Sequence, residues 1–188
     1  YPNGGSGLFA AGETNILCSG EKRIIIGVNI LKEREYMALK IGLISDTHGV
    51  LRSDVVEILG GCDHILHAGD VDRLEILEAL RDIAPLQLVR GNNDWGRWAD
   101  ALPRRLQFTL GGVSFFMTHN RMDVPAKLPG VQVVVFGHSH QYLQQEFDGR
   151  LWLNPGSCGW PRFGNGLTMA LLYIEDQGLR VEQVTLEP

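Results

Sequence analysis

The chain has 188 residues, 44% hydrophobic and 21% charged, with a formal net charge of −5. That size suits one globular domain with a substantial core, and the acidic balance argues against a general nucleic-acid binder, which is ordinarily basic. Three scattered cysteines without a Cys-x-x-Cys pair argue against a disulfide framework or zinc knuckle and fit a reducing cytoplasm; no run approaches the roughly 20 apolar residues of a membrane span.

Residues 1–36 differ from the rest. They open on the linker-like Tyr1-Pro2-Asn3-Gly4-Gly5-Ser6-Gly7 and contain a mixed-charge run, Lys32-Glu33-Arg34-Glu35. The domain is expected to span 37–188, with 1–36 a leader or upstream extension. The alternative is an added edge strand over 24–31, built on Ile24-Ile25-Ile26.

From Leu39 the order becomes regular. A short apolar run, 39–45, reads as a buried strand and stops at Asp46-Thr47-His48-Gly49. A helix is predicted near 53–59 with Ser53 as N-cap, ended by Gly60-Gly61. A strand over 63–68 closes on Gly69-Asp70. Leu74, Leu77, Leu80 and Ile83 form a helical stripe within 72–84, which Pro85 ends. A third strand, 86–90, leads to Gly91-Asn92-Asn93-Asp94. This βαβαβ order favours a mainly parallel sheet with right-handed crossovers.

The second half changes character. Segments 104–110 and 113–118, separated by Gly111-Gly112, read as a β-hairpin ending at His119. A strongly β-branched strand over 131–136 ends in Gly137-His138-Ser139-His140. Four more strands are predicted at 142–147, 151–153, 167–174 and 179–186. The expected fold class is α/β: two mixed β-sheets packed face to face and flanked by helices, a four-layer αββα sandwich.

The polar residues at the strand ends carry the chemistry. Asp46, His48, Asp70, Asn92, His119, His138 and His140 all lie where a predicted strand runs out, several beside a glycine that permits close backbone approach. Four of the six histidines belong to this set. Two carboxylates, an amide and four imidazoles suit a pair of divalent ions, provided one carboxylate bridges them.

In that order the motifs Asp-x-His, Gly-Asp, Gly-Asn-x-Asp, a lone His and Gly-His-x-His resemble the calcineurin-like metallophosphoesterase superfamily. Compact size and Asn154-Pro155-Gly156-Ser157 are similar to its small bacterial and archaeal phosphodiesterase branch, to which the retromer subunit scaffold is also related. The resemblance covers about Leu39 to the C-terminus. It implies that Asp46, His48 and His140 hold one metal, that Asn92, His119 and His138 hold a second, and that Asp70 bridges. It further implies a phosphoesterase, most simply a phosphodiesterase, in which hydroxide held by two ions about 3.5–4 Å apart attacks phosphorus in line. The His-rich set favours manganese, iron, nickel, cobalt or zinc over magnesium without choosing among them, and manganese is the first expectation. Asp70, Asn92 and Asn93 are the residues expected to take part in catalysis. A small phosphate ester is the expected partner, with no membrane and no nucleic acid, and self-association is left open. The competing reading is a protein-binding scaffold of the same fold with idle or absent metals.

One position departs from the family pattern. Much of the superfamily has His where this chain has Asn93, and an amide cannot act as a general acid. Other residues carry alternatives. Asp94 either orients a ligand or forms the turn, and Asn154 and Ser157 are expected to brace the site. Arg162 either contacts substrate phosphate or lies on the surface. His64 and His67 read as structural or surface groups on opposite strand faces. Trp95 and Trp98 are expected to cover core before walling a pocket, and nothing marks Cys158 as a nucleophile.

Overall fold

A computed structural model of the protein describes residues 38–162 and 164–187. The proposed leader and the alternative strand over 24–31 lie outside the described residues. Strands β1 (Leu39–Ile44), β2 (His64–His67) and β3 (Leu86–Leu88) are parallel and linked by helices α1 (Ser53–Leu59) and α2 (Leu74–Ile83). A one-turn helix α3 (Arg97–Asp100), unforeseen in the sequence, leads to the hairpin β4 (Arg105–Leu110) and β5 (Val113–Thr118). Gly111 and Gly112 both take positive φ, 56° and 79°, the combination that matches a two-residue loop to strand twist. After a 3₁₀ turn at Arg121–Asp123 come β6 (Val133–Val135), β7 (Tyr142–Phe147), β8 (Arg150–Pro155), β9 (Leu167–Glu175) and β10 (Gly178–Leu186).

Two five-stranded mixed sheets result. One has the order β10-β9-β1-β2-β3 and the other β4-β5-β6-β8-β7. β9 returns antiparallel to β1, Leu39 opposite Ile174, so that β1 lies inside the sheet rather than at its edge. Alternate residues of β1 then serve two cores. Ile41 and Leu43 face the second sheet and meet Phe115, Val133, Val135, Leu151 and Leu153. Ile44 faces outward and packs under α1 and α2 with Val55, Leu59, Leu77 and Leu80. At Gly42, on that outward face, a Cβ would overlap the Leu59 side chain, so this strand position admits only glycine without rearrangement.

Both expected mixed sheets are present, packed face to face, with unequal outer coverings. On the second sheet Phe116, Val134 and Phe136 are covered by Leu128 and Val131 from the β5–β6 connection, not by a long helix. The Arg121 guanidinium adds a cation–π contact, 5.2 Å from the Trp152 ring centre.

Two local expectations need correction. Ser53 is the first residue of α1, whose N-cap is Arg52 with no side-chain cap. The Asp54 carboxylate accepts the Val55 N–H one position later, which removes the need for a serine cap. Trp95 is 72% exposed and covers nothing apolar, whereas Trp98 packs on the outer core as expected. Among the described residues no helix is long and apolar enough to cross a membrane.

Candidate metal centre

The parallel strands β1, β2 and β3 of one sheet and β5 and β6 of the other release their chains at one end of the sandwich. Brought together there are Asp46 and His48 after β1, Asp70 after β2 and Asn92 after β3. His119 follows β5, and His138 and His140 follow β6. Carboxyl ends of parallel strands are where such sheets present functional groups.

The turns that aim these side chains are conformationally costly. Seven described non-glycine residues have positive φ, and six of them are Asp46, His48, Asp70, Asp72, His138 and His140, at 45–69°. Left-handed backbone costs about 1–3 kcal/mol per residue outside glycine, so the surrounding contacts must over-determine it. Backbone bonds do so first: Asp46 N–H donates to Gly69 O and His48 N–H to Asp70 O, each at 3.0 Å.

Asp94 does so next. Its buried carboxylate accepts four backbone N–H groups, from Asp70 (3.1 Å), Val71 (2.7 Å), Asp72 (2.8 Å) and Gly91 (2.7 Å). Both roles left open for Asp94 describe these bonds: the Gly91 N–H closes its own turn, and the Asp70 N–H fixes the loop that carries Asp70. The residue locks the Gly69–Asp72 loop to the Gly91–Asp94 loop.

Close packing explains two motif glycines. A Cβ at Gly91 would overlap Asp70 Oδ1 and its amide nitrogen, and one at Gly137 would overlap Ser45 Oγ. Asn154 and Ser157 brace the same region as expected. Asn154 Nδ2 donates to Gly137 O (2.9 Å), and Ser157 Oγ donates to Asp46 O (2.9 Å).

The imidazoles are held from behind. His119 Nδ1 lies 2.7 Å from Ala68 O, which only accepts, so Nδ1 carries the proton. Nε2 then faces Asn92 Oδ1 at 3.0 Å and Asp70 Oδ2 at 3.3 Å. His48 Nδ1 contacts Asp72 Oδ2 at 3.1 Å, which turns Nε2 toward His140 Nε2 at 3.2 Å. A carboxylate behind a ligand imidazole fixes both tautomer and ring orientation. Asp72 went unrecognised in the sequence, although the Gly-Asp-x-Asp pattern contained it.

The charge balance calls for a cation. Asp46 Oδ1 is buried without a hydrogen-bond partner, and His140 Nε2 lies 3.3 Å away. Asn92 Oδ1 lies 3.0 Å from His119 Nε2 and 2.9 Å from His138 Nδ1. Asp46, His48 and His140 form one cluster of converging donor atoms; Asp46, Asp70 and His119 form another. Burial works to raise the Asp70 pKa, but hydrogen bonding and charge from His119, the Asn93 N–H and His48 prevail and hold it at about 2. Burial works to lower that of His119, yet the Asp70 and Asp46 carboxylates raise it above its ordinary value. An oxygen–nitrogen set of this kind, with an orphaned buried carboxylate oxygen, fits divalent transition ions.

Several singled-out residues stand apart. Arg162 is exposed, and among the described residues only its carbonyl is bonded, to Asn165 N–H. Cys158 is buried, and burial pushes its thiol up to about 12, which leaves no nucleophile. His67 is structural. Its Nδ1 accepts the Gly69 N–H, so Nε2–H donates to Thr47 Oγ1, which donates on to Asp70 O.

Burial, against the pull of nearby carboxylates, lowers the His67 pKa to about 4. The unfolded chain takes up this proton near its ordinary value, about 6.5. Stability is thus full above that pH and is lost as the pH falls from there toward 4, by on the order of 3 kcal/mol. Urea unfolding in chelator at pH 7 and 4.5 is expected to show that loss, and a smaller one in His67→Gln. Equal losses would mean that His67 is charged in the folded protein.

Comparison with known proteins follows the same lines. Residues 39–177 match the family model described as the calcineurin-like phosphoesterase superfamily domain. A probable metallophosphoesterase of Methanocaldococcus jannaschii is 33% identical over 137 residues, 65% of this chain and 69% of that protein. A phosphodiesterase of the same organism is 27% identical over 140 residues, 64% and 84% of the two chains. Among solved structures, an archaeal phosphodiesterase superposes with a TM-score of 0.66 at 24% identity, over 79% of this chain and all of that one.

Proposed function

This chain belongs to the calcineurin-like phosphoesterase superfamily, and on that premise we propose that it is a dinuclear metal-dependent phosphodiesterase. The observation that carries the reading is the convergence of seven donor side chains from five strand ends around a buried, orphaned carboxylate oxygen. The relative named a phosphodiesterase favours diesters. We assign Asp46, His48 and His140 to one ion, Asn92, His119 and His138 to the other, and Asp70 to both. Asp70 Oδ2 lies 3.8 Å from His48 Nε2 and 3.3 Å from His119 Nε2, between the two imidazole sets. Manganese is the first candidate, and every assigned residue lies within 37–188, the proposed working unit.

Two divalent ions in these positions would supply positive charge to a phosphoryl oxygen and acidify the attacking water, the chemistry of in-line phosphate-ester hydrolysis. The chain's own residues set the geometry. Asn93 directs its N–H to Asp70 Oδ1 (2.8 Å) and its side-chain amide to Asp70 Oδ2 (2.9 Å), which orients the bridging carboxylate. That amide has no acidic proton to give a departing alkoxide, so good leaving groups are favoured. Asn92 and His138 are exposed while Asp46, Asp70, His119 and His140 are buried, so substrate reaches the site from the Asn92–His138 side.

Metal analysis and an ester panel test the reading. Protein reconstituted with manganese is expected to hold close to two ions and to hydrolyse nitrophenyl diesters faster than alkyl diesters or monoesters. Fully loaded protein that hydrolyses none of them would favour the scaffold alternative instead.

A further inference from the structure

Beside the proposed second ion's ligands lies a cleft of about 170 Å³, whose walls include Arg90, Asn92, Arg104, His119, Asn120 and His138. It shares the exposed edge of the site, so an ester group leading away from the metals enters it. Its charges are unequally committed. Arg90 is held by Asp94 O at 3.1 Å and by Asp100 Oδ1 at 2.9 Å. Asp123 also lines the cleft, but Arg105 lies 3.6 Å from its carboxylate.

Arg104 is different. Its carbonyl accepts Thr118 Oγ1–H, while its exposed guanidinium has no ion pair or hydrogen bond among the described residues. Next to it in the cleft, Asn120 accepts Met122 N–H with its side-chain oxygen, and its side-chain amide N–H groups have no acceptor among the described residues. The cleft therefore presents one uncommitted cation and neutral donors within reach of the site, beside one exposed carboxylate, Asp123, that faces Arg105. Its volume of about 170 Å³ leaves room for a phosphate-sized group.

We infer that Arg104 is a specificity-determining residue, whose guanidinium receives a second phosphate-type group on the retained ester arm of the substrate. The planar guanidinium fork matches phosphate oxygens in pairs, which a lone ammonium does not. The inference rests on the phosphodiesterase reading and narrows it to phosphodiesters that carry a further terminal phosphate. In the reaction the water oxygen bonds to the scissile phosphorus, the bond to the leaving oxygen breaks, and the water's proton passes to solvent. Arg104 touches only the arm that stays.

Two matched substrates test it: para-nitrophenyl phosphonoethyl phosphate, and para-nitrophenyl propyl phosphate, which lacks the second anion. With manganese-loaded protein, the ratio of their kcat/KM values is expected to favour the phosphonoethyl ester. In Arg104→Ala that ratio is expected to fall about 10–100-fold, mainly through KM, the effect of losing a charge-assisted hydrogen-bonded pair. Arg104→Lys should retain part of the preference. An unchanged ratio in Arg104→Ala, with the propyl ester still hydrolysed by wild type, overturns the inference alone. Wild-type protein that hydrolyses neither ester overturns both the inference and the phosphodiesterase reading.

Discussion

Asp70→Ala is expected to empty both metal positions and to lower kcat/KM by roughly 10⁴-fold or more, since two-metal charge stabilisation supplies several kcal/mol of the barrier reduction. Its carboxylate is 2% exposed and faces both imidazole sets, within 3.8 Å of His48 and 3.3 Å of His119. No neighbouring residue substitutes for it. Asp46 already belongs to both donor clusters, and Asp72 is occupied behind His48. Elemental analysis with steady-state kinetics reads the result. Asp70→Ala with two ions still bound would remove the bridging assignment; loss of only the ion at Asn92, His119 and His138 would make Asp70 a ligand of one metal. His48→Ala is a useful contrast, because it should weaken the first position while leaving donors for the second.

The second large effect is on the fold around the site. Asp94→Ala leaves four backbone N–H groups without their acceptor: those of Asp70, Val71, Asp72 and Gly91. Each buried donor left unsatisfied costs about 1–3 kcal/mol, so a loss of roughly 4 kcal/mol or more is expected even if water rescues some of them. Asp94→Asn should also destabilise, because an NH₂ group would face N–H donors that need an acceptor. Asp123→Ala is the control, since that carboxylate is well exposed and surface pairs contribute little. Urea unfolding in chelator separates this effect from metal loss. A change below about 1 kcal/mol in Asp94→Ala would mean that the two loops hold without their shared anchor.

The same contrast shows how far the sequence could be read. The seven candidate ligands stood out in the sequence because ligation demands particular side chains, and because each follows a recognisable apolar strand. The βαβαβ half was legible for a similar reason: its periodicity is local, and glycine and proline mark its ends. Asp94 was visible only as one of two possibilities. Its four bonds reach back 3 to 24 positions along the chain, a pattern that propensity does not encode. Asp72 stood two residues from a motif aspartate, but its value depends on where His48 points.

Other features were decided only when the chain closed on itself. β9 pairs with β1 across about 130 residues of sequence, which places β1 inside the sheet. Trp95, an aromatic residue with every reason to be inside, is left in solvent by the turn that follows Asp94. Arg104, not Arg162, lines the cleft beside the site, because the hairpin carrying it lies against the exposed edge of the donor set.

By itself the sequence determined which side chains could bind metal and at which strand ends they would emerge, since donor chemistry and strand periodicity are properties of residues and near neighbours. Tertiary structure alone decided which of these side chains face one another and which arginine lines the cleft beside them. Those facts arise from contacts such as His48 with His140 and His138 with Asp46, 92 positions apart in each case. These two contacts form only when the sheets pack, because Asp46 and His48 follow a strand of one sheet and His138 and His140 a strand of the other.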